Sequence, residues 1–448
     1  LILGWIRSGK YTPGDIFILA PSIRSESSPI RKTENLLSSK GVPVYIPSSD
    51  DSNLNYDQLQ NKTIFSSFHQ VKGLERKLVV VFGWDAGYYA FFNKSGNPKK
   101  LANPLYVAIT RAQQQLVLVH HENHDYMKFE NTQVIKQCCL LTGYLKNVKQ
   151  LKQRNTAAGN FGVTQLVRHL PHEVVFTLAD YLNFSDSVYQ KHETHINLPQ
   201  QIQDKHGKEE VHDLNVVAIP AMFQIKTQQI SDLVKFVISN RTQIKQKNNK
   251  TLHQLLDTVL DKPVSELSRQ EIMFITVVWY YINTGYKNRI HQISRFTWLD
   301  KIDLDSVFDT MSKYISNEAN FEVPVSRKNN KNQNVHGFID CIDGENVWEF
   351  KCSNTKKIEH LAQLAVYSWI YPNAKNYYLY YLNSGSIYKI EPDQYEIVKL
   401  LIKNFISDPD KISNTEFIEK FRFEYPDEWQ EPELEESEDA DLYDQVIQ

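Results

Sequence analysis

A chain of 448 residues with 41% hydrophobic and 12% aromatic residues has material for roughly two to three cores, and 50 Lys and Arg against 53 Asp and Glu leave a net charge of −3. No run of about 18 apolar residues is present to span a membrane, and no signal-peptide pattern opens the chain. Cys138, Cys139, Cys341 and Cys352 have a spacing that fits no zinc or iron–sulfur pattern; so few cysteines, two of them adjacent, suit a reducing intracellular compartment, cytoplasmic or nuclear.

In chain order, Gly4-Trp5-Ile6-Arg7-Ser8-Gly9-Lys10-Tyr11 fits G-x-x-x-x-G-K, but Tyr11 stands where the magnesium-binding Ser or Thr belongs. A phosphate loop follows a strand and opens a helix, whereas Leu1 to Ile6 is too short for that strand and Thr12-Pro13-Gly14 breaks any helix after it. Leu1 to Ser8 is read as the tail of a helix that Gly9-Lys10 ends. Asp15 to Pro21 predicts a buried strand, and Arg31 to Lys40 a helix stopped by Gly41. Val42 to Pro47, Leu78 to Phe82 and Leu116 to His120 predict three more strands, with a helix over Leu105 to Gln114. Alternating elements of this kind build a parallel sheet with helices on its faces, and nucleotides bind such sheets at strand-end loops.

Two connections carry more specific patterns. Ser66 to Glu75 contains His69-Gln70-Val71-Lys72-Gly73-Leu74-Glu75, fitting H-x-x-K-G-L-E, and Asn103 to Ala112 contains Leu105-Tyr106-Val107-Ala108-Ile109-Thr110-Arg111-Ala112, fitting L-Y-V-A-x-T-R-A. In this order, each before a strand, the pair resembles the late motifs of UvrD-like superfamily 1 helicases. The resemblance implies that Arg111 is an arginine finger on a γ-phosphate. It implies that Glu75, with Gly73 beside it, meets the nucleotide, and that His69 and Lys72 couple to DNA. Arg31 matches the earlier phosphate-sensing arginine, one residue out of its usual spacing to the leucines. The plain alternative makes Arg111 and Lys72 surface charges at helix ends. No Walker A or B pattern occurs elsewhere, so the resemblance covers only a second RecA-like domain, over residues 1–125. ATP is therefore expected only with a missing N-terminal helicase domain, from this protein or a partner subunit, and the opening Leu1 reads as the start of a fragment.

Residues 126–160 read as a helical, Lys- and Gln-rich connector. Thr164 to Leu182 predicts a helix bearing Arg168, His169 and His172, Pro199 to Glu210 a polar loop, Val216 to Phe223 a strand, and Gln228 to Arg241 a helix. Asn240 to Thr251 and Arg327 to Asn334 are basic, Asn-rich loops; the second, just before the segment described next, is the better placed to touch DNA.

Val335 to Cys352 is the most informative stretch. Two β-branched and aromatic runs flank a turn signal, which predicts a hairpin. With Gly344-Glu345 as a two-residue loop, Asp343 pairs with Asn346 and Asp340 opposes Glu349. With Asp343-Gly344 as the loop the acids become diagonal neighbours; a three-residue loop reverses the parity. Glu349 and Lys351, two apart, share a strand face opposite Trp348, Phe350 and Cys352. Two acids and a lysine facing one way suit either a solvated face or a carboxylate site for Mg²⁺ or Mn²⁺, as metal-dependent phosphodiester cleavage needs. The following segment, Thr355 to Ile370, predicts an amphipathic helix with Leu361, Leu364, Ala365, Ser368 and Trp369 at helical spacing and Gln363 and Tyr367 stacked on an adjoining stripe.

The order acid, acid-x-lysine, Gln-x-x-x-Tyr resembles the RecB-like branch of the PD-(D/E)XK nucleases over Phe321 to Ile390. That resemblance implies that Asp340 and Glu349 hold the metal, that Lys351 assists the nucleophile, and that Gln363 and Tyr367 orient the site and its DNA strand. It also implies a metal-ligand histidine on an upstream helix, for which His291 is the candidate, while Glu322 is placed at the site edge. Beyond Tyr425, ten acids from Asp427 to Asp444 occur without a Lys or Arg, predicting a solvated tail and leaving a basic body suited to phosphate contacts.

The reading is an α/β chain: a partial RecA-like parallel sheet over 1–125, a connector over 126–160, a restriction-endonuclease-like PD-(D/E)XK domain over 161–424 and an acidic tail over 425–448. Its expected function is metal-dependent cleavage of DNA by the second domain, with the first supplying the arginine-finger half of an ATP-driven DNA motor. The arrangement resembles helicase-nuclease subunits that process double-strand breaks in bacteria. An Asn-, Lys-, Ile- and Tyr-rich composition together with the domain pairing looks like proteins of large DNA viruses. The alternative is a non-catalytic DNA-binding or assembly subunit whose partner supplies the ATP site.

Overall fold

The computed structural model describes residues 1–23, 29–47, 59–68, 70–93, 96–143, 160–168, 196–242, 250–329, 332, 334–353 and 357–390. The chain is mixed α/β and divides into two compact units, Leu1–Ala157 with Asn197–Leu304, and Ala158–Ile196 with Asp305–Gln448. His69, the nuclease-side histidines His169 and His172 and the acidic tail lie outside the described residues.

The first unit opens with helix α1 (Ile2–Arg7), which stops at Ser8 and turns through Gly9 at φ +72°, so the phosphate-loop look-alike is a helix end. Strands β1 (Ile16–Ala20), β2 (Val44–Tyr45), β3 (Thr63–Ser67), β4 (Arg76–Phe82) and β5 (Ala112–Val119) follow, with α2 (Pro29–Ser39) after β1 and α3 (Asn103–Ile109) before β5. They form one sheet in the order β2-β3-β1-β4-β5 with parallel pairing throughout. Ile16, Ile18 and Ala20 bury toward α2, while Phe17 and Leu19 bury toward α3, Phe68 and Val71. A strand covered on both faces reads as a continuous apolar run, which is why β1 was legible. Thr63-Ile64-Phe65-Ser66-Ser67, the interior strand β3, was not predicted as one. The helix expected over Leu105 to Gln114 ends at Ile109, because Ala112 to Gln115 already pair with β4.

Downstream, α4 (Thr132–Cys138) lies among the described residues of the connector, and β6 (Asn160–Gly162) with α5 (Val163–Arg168) belongs to the second unit. Chain returns to the first unit with a hairpin, β7 (Gln201–Asp204) and β8 (Gly207–Glu210), where a loop was expected. Helices α6 (His212–Gln228), α7 (Asp232–Ser239), α8 (Lys250–Leu260), α9 (Arg269–Thr284) and α10 (Asn288–Gln292) come next. The strand predicted over Val216 to Phe223 is the middle of α6. Such a short apolar run reads equally as strand or buried helix, and here nearly every residue from Leu214 to Ile225 is buried.

The domain limits therefore change: Asn197–Leu304, expected inside the second domain, packs with the parallel sheet. Val277, Tyr280, Tyr286 and Ile293 share the core of Ile16, Ile18 and Ile30. Polar contacts lock the same seam. The Gln292 side chain donates to Val44 O at 2.9 Å and accepts from Val44 N at 2.6 Å, satisfying the free edge of β2. Lys62, fully buried, pairs with Glu209 at 2.7 Å.

The second unit contains α11 (Asp305–Tyr314), β9 (Asn320–Lys328), β10 (Asn334–Asp343), β11 (Asn346–Lys351), α12 (Ile358–Ile370), β12 (Asn376–Tyr381) and β13 (Ser386–Ile390). The sheet runs β13-β12-β11-β10-β6, with β9 also paired to β10. Helix α12 buries Leu361, Leu364, Ala365 and Trp369, the residues expected by spacing, with Val335, Ile339, Val347, Tyr377 and Leu379 of the sheet and Val163 and Leu166 of α5. No helix among the described residues is long and apolar enough to cross a membrane.

Candidate active site

The turn between β10 and β11 is the two-residue alternative. Asp343 pairs with Asn346, leaving Gly344 at φ +56° and Glu345 as the loop. The paired register then ends at Cys341 and Trp348. Beyond it β11 stays parallel to β12 as far as Lys351, while β10 continues the pairing with β9 that it already holds at Ile342 and Cys341 and, at Asn334 to His336, adds β6. The two strands thus part at the level of Asp340 and Glu349. Ile339 and Ile342, three apart, both enter the core under α12, so regular alternation is interrupted across Asp340. Opposite this point on β9, Glu322 holds φ +52°, a left-handed conformation uncommon outside glycine.

Side chains take over where the ladder stops. Asp340 Oδ2 accepts from the Phe350 amide at 2.6 Å. Lys351 Nζ donates to Glu349 Oε1 at 2.6 Å and to Gln363 Oε1 at 2.9 Å. Tyr367 donates to the Phe338 carbonyl at 2.5 Å, and Gln363 interacts with the Tyr367 hydroxyl. Asp340, Glu349, Lys351, Gln363 and Tyr367 are therefore one connected cluster. Gly337 is what lets Tyr367 cross the strand, since a Cβ there would lie 3.0 Å from both Cε1 and the hydroxyl oxygen of Tyr367. A glycine inside a strand is a signal for close approach, and Gly337 carried that signal unread.

Charge in this cluster is poorly compensated. Glu349 is 1% exposed, and its Oε2 is buried without a hydrogen-bond partner. Burial lifts the Asp340 carboxyl well above the usual carboxylate range, Glu349 and Glu322 push it further, and Lys351 and the Phe350 amide only partly oppose them. Burial also raises Glu349 against the pull of Lys351, and burial with the neighbouring Glu349 raises Glu322 to about 8. Three acids around one ammonium raise one another's pKa, and added positive charge would lower them.

A hard divalent cation fits these donors. Mg²⁺ is commonly held by one or two carboxylates, with waters and substrate oxygens completing its shell. Asp340 and the unpartnered oxygen of Glu349 supply such a pair. Among the described residues no three His, Cys, Asp or Glu side chains form a ready-made metal cage. His291 lies on α10 in the first unit, half-buried with its Nε2 buried and unpartnered, and burial lowers its pKa. Glu322 is the additional acid that the fold brings in.

The helicase-like residues assemble separately in the first unit. The Arg76 amide donates to Arg111 O at 3.0 Å, Gln113 Nε2 to Glu75 Oε2 at 3.3 Å, and Arg111 Nη1 to Leu74 O at 3.5 Å. Both motifs thus meet at the amino-terminal ends of β4 and β5. The Arg111 side chain folds back, donating from Nε to Val107 O and from Nη2 to Thr110 Oγ1. Lys72, Gly73 and Glu75 are exposed, and Gly73 turns the chain at φ +82°. Arg31 is on α2 with its guanidinium 5.2 Å from the centre of the Tyr286 ring.

No protein-family description matches the chain, and no curated protein matches it. A solved structure, described as the crystal structure of SSO0001, aligns with 57% of this chain and 96% of its own at 18% identity, with a TM-score of 0.19 that carries no argument about fold or function.

Proposed function

We propose that this chain is a DNA nuclease that hydrolyses phosphodiester bonds with Mg²⁺ or Mn²⁺, and that its second unit is a PD-(D/E)XK domain of the RecB-like branch. The observation that carries this is the buried, unpartnered Oε2 of Glu349 set beside Asp340 and Lys351. In this reading Asp340 and Glu349 hold the cation, which supplies Lewis acidity toward a phosphoryl oxygen and lowers the pKa of a water. Lys351 steadies the developing phosphoryl charge, and the Gln363 carbonyl fixes its ammonium at 2.9 Å. The Phe350 amide fixes the Asp340 carboxylate. Tyr367, tied to Phe338 O, keeps β10 bent away from β11 so that both acids face one space.

We read the first unit as the second RecA-like domain of a UvrD-like helicase. Arg111 would act there as an arginine finger, with Glu75 and Gly73 at the nucleotide and Lys72 at the DNA, once a first helicase domain provides the phosphate site. This part of the reading rests on the two sequence motifs and their meeting at β4 and β5.

The test is degradation of single-stranded DNA by the full chain with Mn²⁺. Asp340→Ala and Lys351→Ala should each lower the rate on the order of 10²-fold or more. No cleavage by the unaltered protein with any divalent metal would leave a DNA-binding or assembly role instead.

A further inference from the structure

Glu322, Asp340 and Glu349 lie level with one another on three adjacent strands. Pairing of Val323 with Ile339 and of Phe321 with Cys341 sets Glu322 opposite Asp340, and pairing of Cys341 with Trp348 sets Asp340 opposite Glu349. The β9–β10 register passes from Val323–Ile339 to Phe321–Cys341 without pairing the two acids between them.

The strands change face at the same level. Phe321 stacks on Phe350, on the side away from α12, whereas Val323 packs with Val335 and Ile339 toward that helix. Residues two apart on a regular strand share a face, so β9 slips by one residue at Glu322, where φ is +52°. On β10, Ile339 and Ile342 both enter the core under α12, and the slip falls on Asp340. Irregularities of this kind re-aim side chains, and here they are matched on neighbouring strands at the two positions that carry acids. A regular β9 with Val323 in the core would turn residue 322 to the other face. Beyond the effect of burial, Glu349 raises the Glu322 pKa, and Glu322, after Glu349, raises that of Asp340, so the three carboxylates share one space.

The row has the marks of a ligand site. Oε2 of Glu349, in a residue 1% exposed, has no hydrogen-bond partner. Ionised, the three acids and Lys351 leave two negative charges, which one divalent cation neutralises. A left-handed glutamate persists only where its surroundings hold it, and such positions gather at ligand clamps and active sites.

We infer that Glu322 is the third carboxylate of the cation site, acting with Asp340 and Glu349 on the same Mg²⁺ or Mn²⁺. The inference rests on the nuclease reading and adds a residue to it. Like charges with one lysine among three acids keep the oxygens apart, and no closed cage of His, Cys, Asp or Glu is present among the described residues. Glu322 therefore sets how tightly the cation is held.

Loss of the electron paramagnetic resonance signal of free Mn²⁺ measures binding to the full chain with no DNA present. Glu322→Gln keeps the length and shape of the side chain and should weaken Mn²⁺ binding by about 10- to 100-fold. Glu322→Gly suits the left-handed backbone, loses the same carboxylate and should weaken it as much. Glu345→Gln, at the exposed turn where Glu345 pairs with Lys375, should change nothing. In EDTA neither Glu322 variant should melt below the unaltered protein. Unchanged Mn²⁺ affinity in either Glu322 variant, alongside its loss in Asp340→Ala, overturns the inference and leaves the nuclease reading in place. An equal loss in Glu345→Gln overturns it by making the effect one of net charge, and a lower melt in EDTA overturns it by making Glu322 a structural residue. Weakened Mn²⁺ binding in a protein that cleaves no DNA keeps the third carboxylate and sinks the nuclease reading alone. Absence of Mn²⁺ binding by the unaltered protein sinks both.

Discussion

The acid cluster between β10 and β11 and the arginine cluster before β4 and β5 both sit where the chain enters or leaves a ladder, yet they treat charge differently. Around Asp340, the buried Glu349 and the half-buried Asp340 and Glu322 raise one another's ionisation, a single lysine is paired with Glu349, and one carboxylate oxygen has no partner. Around Arg111, the guanidinium rests on backbone carbonyls, and Glu75 and Lys72 reach solvent. The first arrangement is costly without a cation, while the second is stable as it stands. Strongly shifted ionisation gathers where chemistry is done, so the contrast is the one expected between the proposed nuclease centre and the proposed half-site of a motor.

Burial by itself does not make that distinction, and the first unit supplies the control. Lys62 and Glu209 are also buried, but they close on each other at 2.7 Å, with Gln292 donating to the same Glu209 oxygen at 3.0 Å. This is a fastening between β8 and the sheet. Removing one partner leaves an uncompensated charge, so Lys62→Ala should cost about 3–5 kcal/mol, whereas Lys62→Met with Glu209→Leu should recover most of it. Urea denaturation at neutral pH measures both. If the single substitution proves harmless, then Asn197–Leu304 does not depend on this fastening, and burial of the pair has been given too much weight.

Glu34 sharpens the contrast further, because it too has a raised pKa and a buried unpartnered oxygen. Burial lifts it to about 7, against hydrogen bonding and the attraction of Lys287. No second carboxylate is among the causes, so protonation alone relieves it. The sign follows from that. The unfolded chain releases this proton near the ordinary glutamate range and the folded chain near 7, so the folded state binds more protons between them. Stability should therefore fall as pH rises from about 4.5 to about 7, by up to about 3 kcal/mol, and then level off. Glu34→Gln should remove that slope in a series of urea melts, and a slope that survives would show the group to be ionised at lower pH than its surroundings imply.

At the acid cluster, relief should come from metal rather than from protons alone. Mn²⁺ at about 100 times its dissociation constant should stabilise the second unit by about 2.7 kcal/mol. Glu349→Gln, which removes the charge but keeps the shape, should abolish that gain. This readout needs no turnover, so it separates binding from cleavage. A melt insensitive to Mn²⁺ in the unaltered chain would remove the cation from the account.

What was legible in the residues follows the same divide between local and non-local causes. Gly344 after Asp343 signalled a short turn, and of the loops it allowed, Gly344-Glu345 is the one that opposes Asp340 to Glu349 and the one found. Gln363 and Tyr367 were legible because helical spacing stacks them. His291 could be read only as a candidate by position, since its place on α10 depends on how Tyr286 and Ile293 pack against Ile16 and Ile18, far away in the chain. Glu322 could be set only at the edge of the site, since its approach to Asp340 depends on the register of β9 and on an unusual backbone conformation. The octapeptide from Val216 to Phe223 failed for another reason: fully buried helices and strands look alike over eight residues.

Arg111 marks the small end of the comparison. Its contacts to Val107, Thr110 and Leu74 are part-buried bonds to neutral oxygens, and exchanging such bonds for water contributes about 1 kcal/mol each. Arg111→Ala should therefore leave the fold intact, and it should leave Mn²⁺-dependent cleavage unchanged, since no residue of its cluster belongs to the unit that holds Asp340. An arginine finger acts on phosphate that another site has already bound, so the chain alone should turn over ATP no faster with Arg111 than without it. A complementing first helicase domain should make the substitution visible as a loss on the order of 10³-fold in ATP hydrolysis. Robust ATP turnover by the isolated chain would mean that a phosphate site exists within it, and the division into one complete site and one half-site would then be wrong.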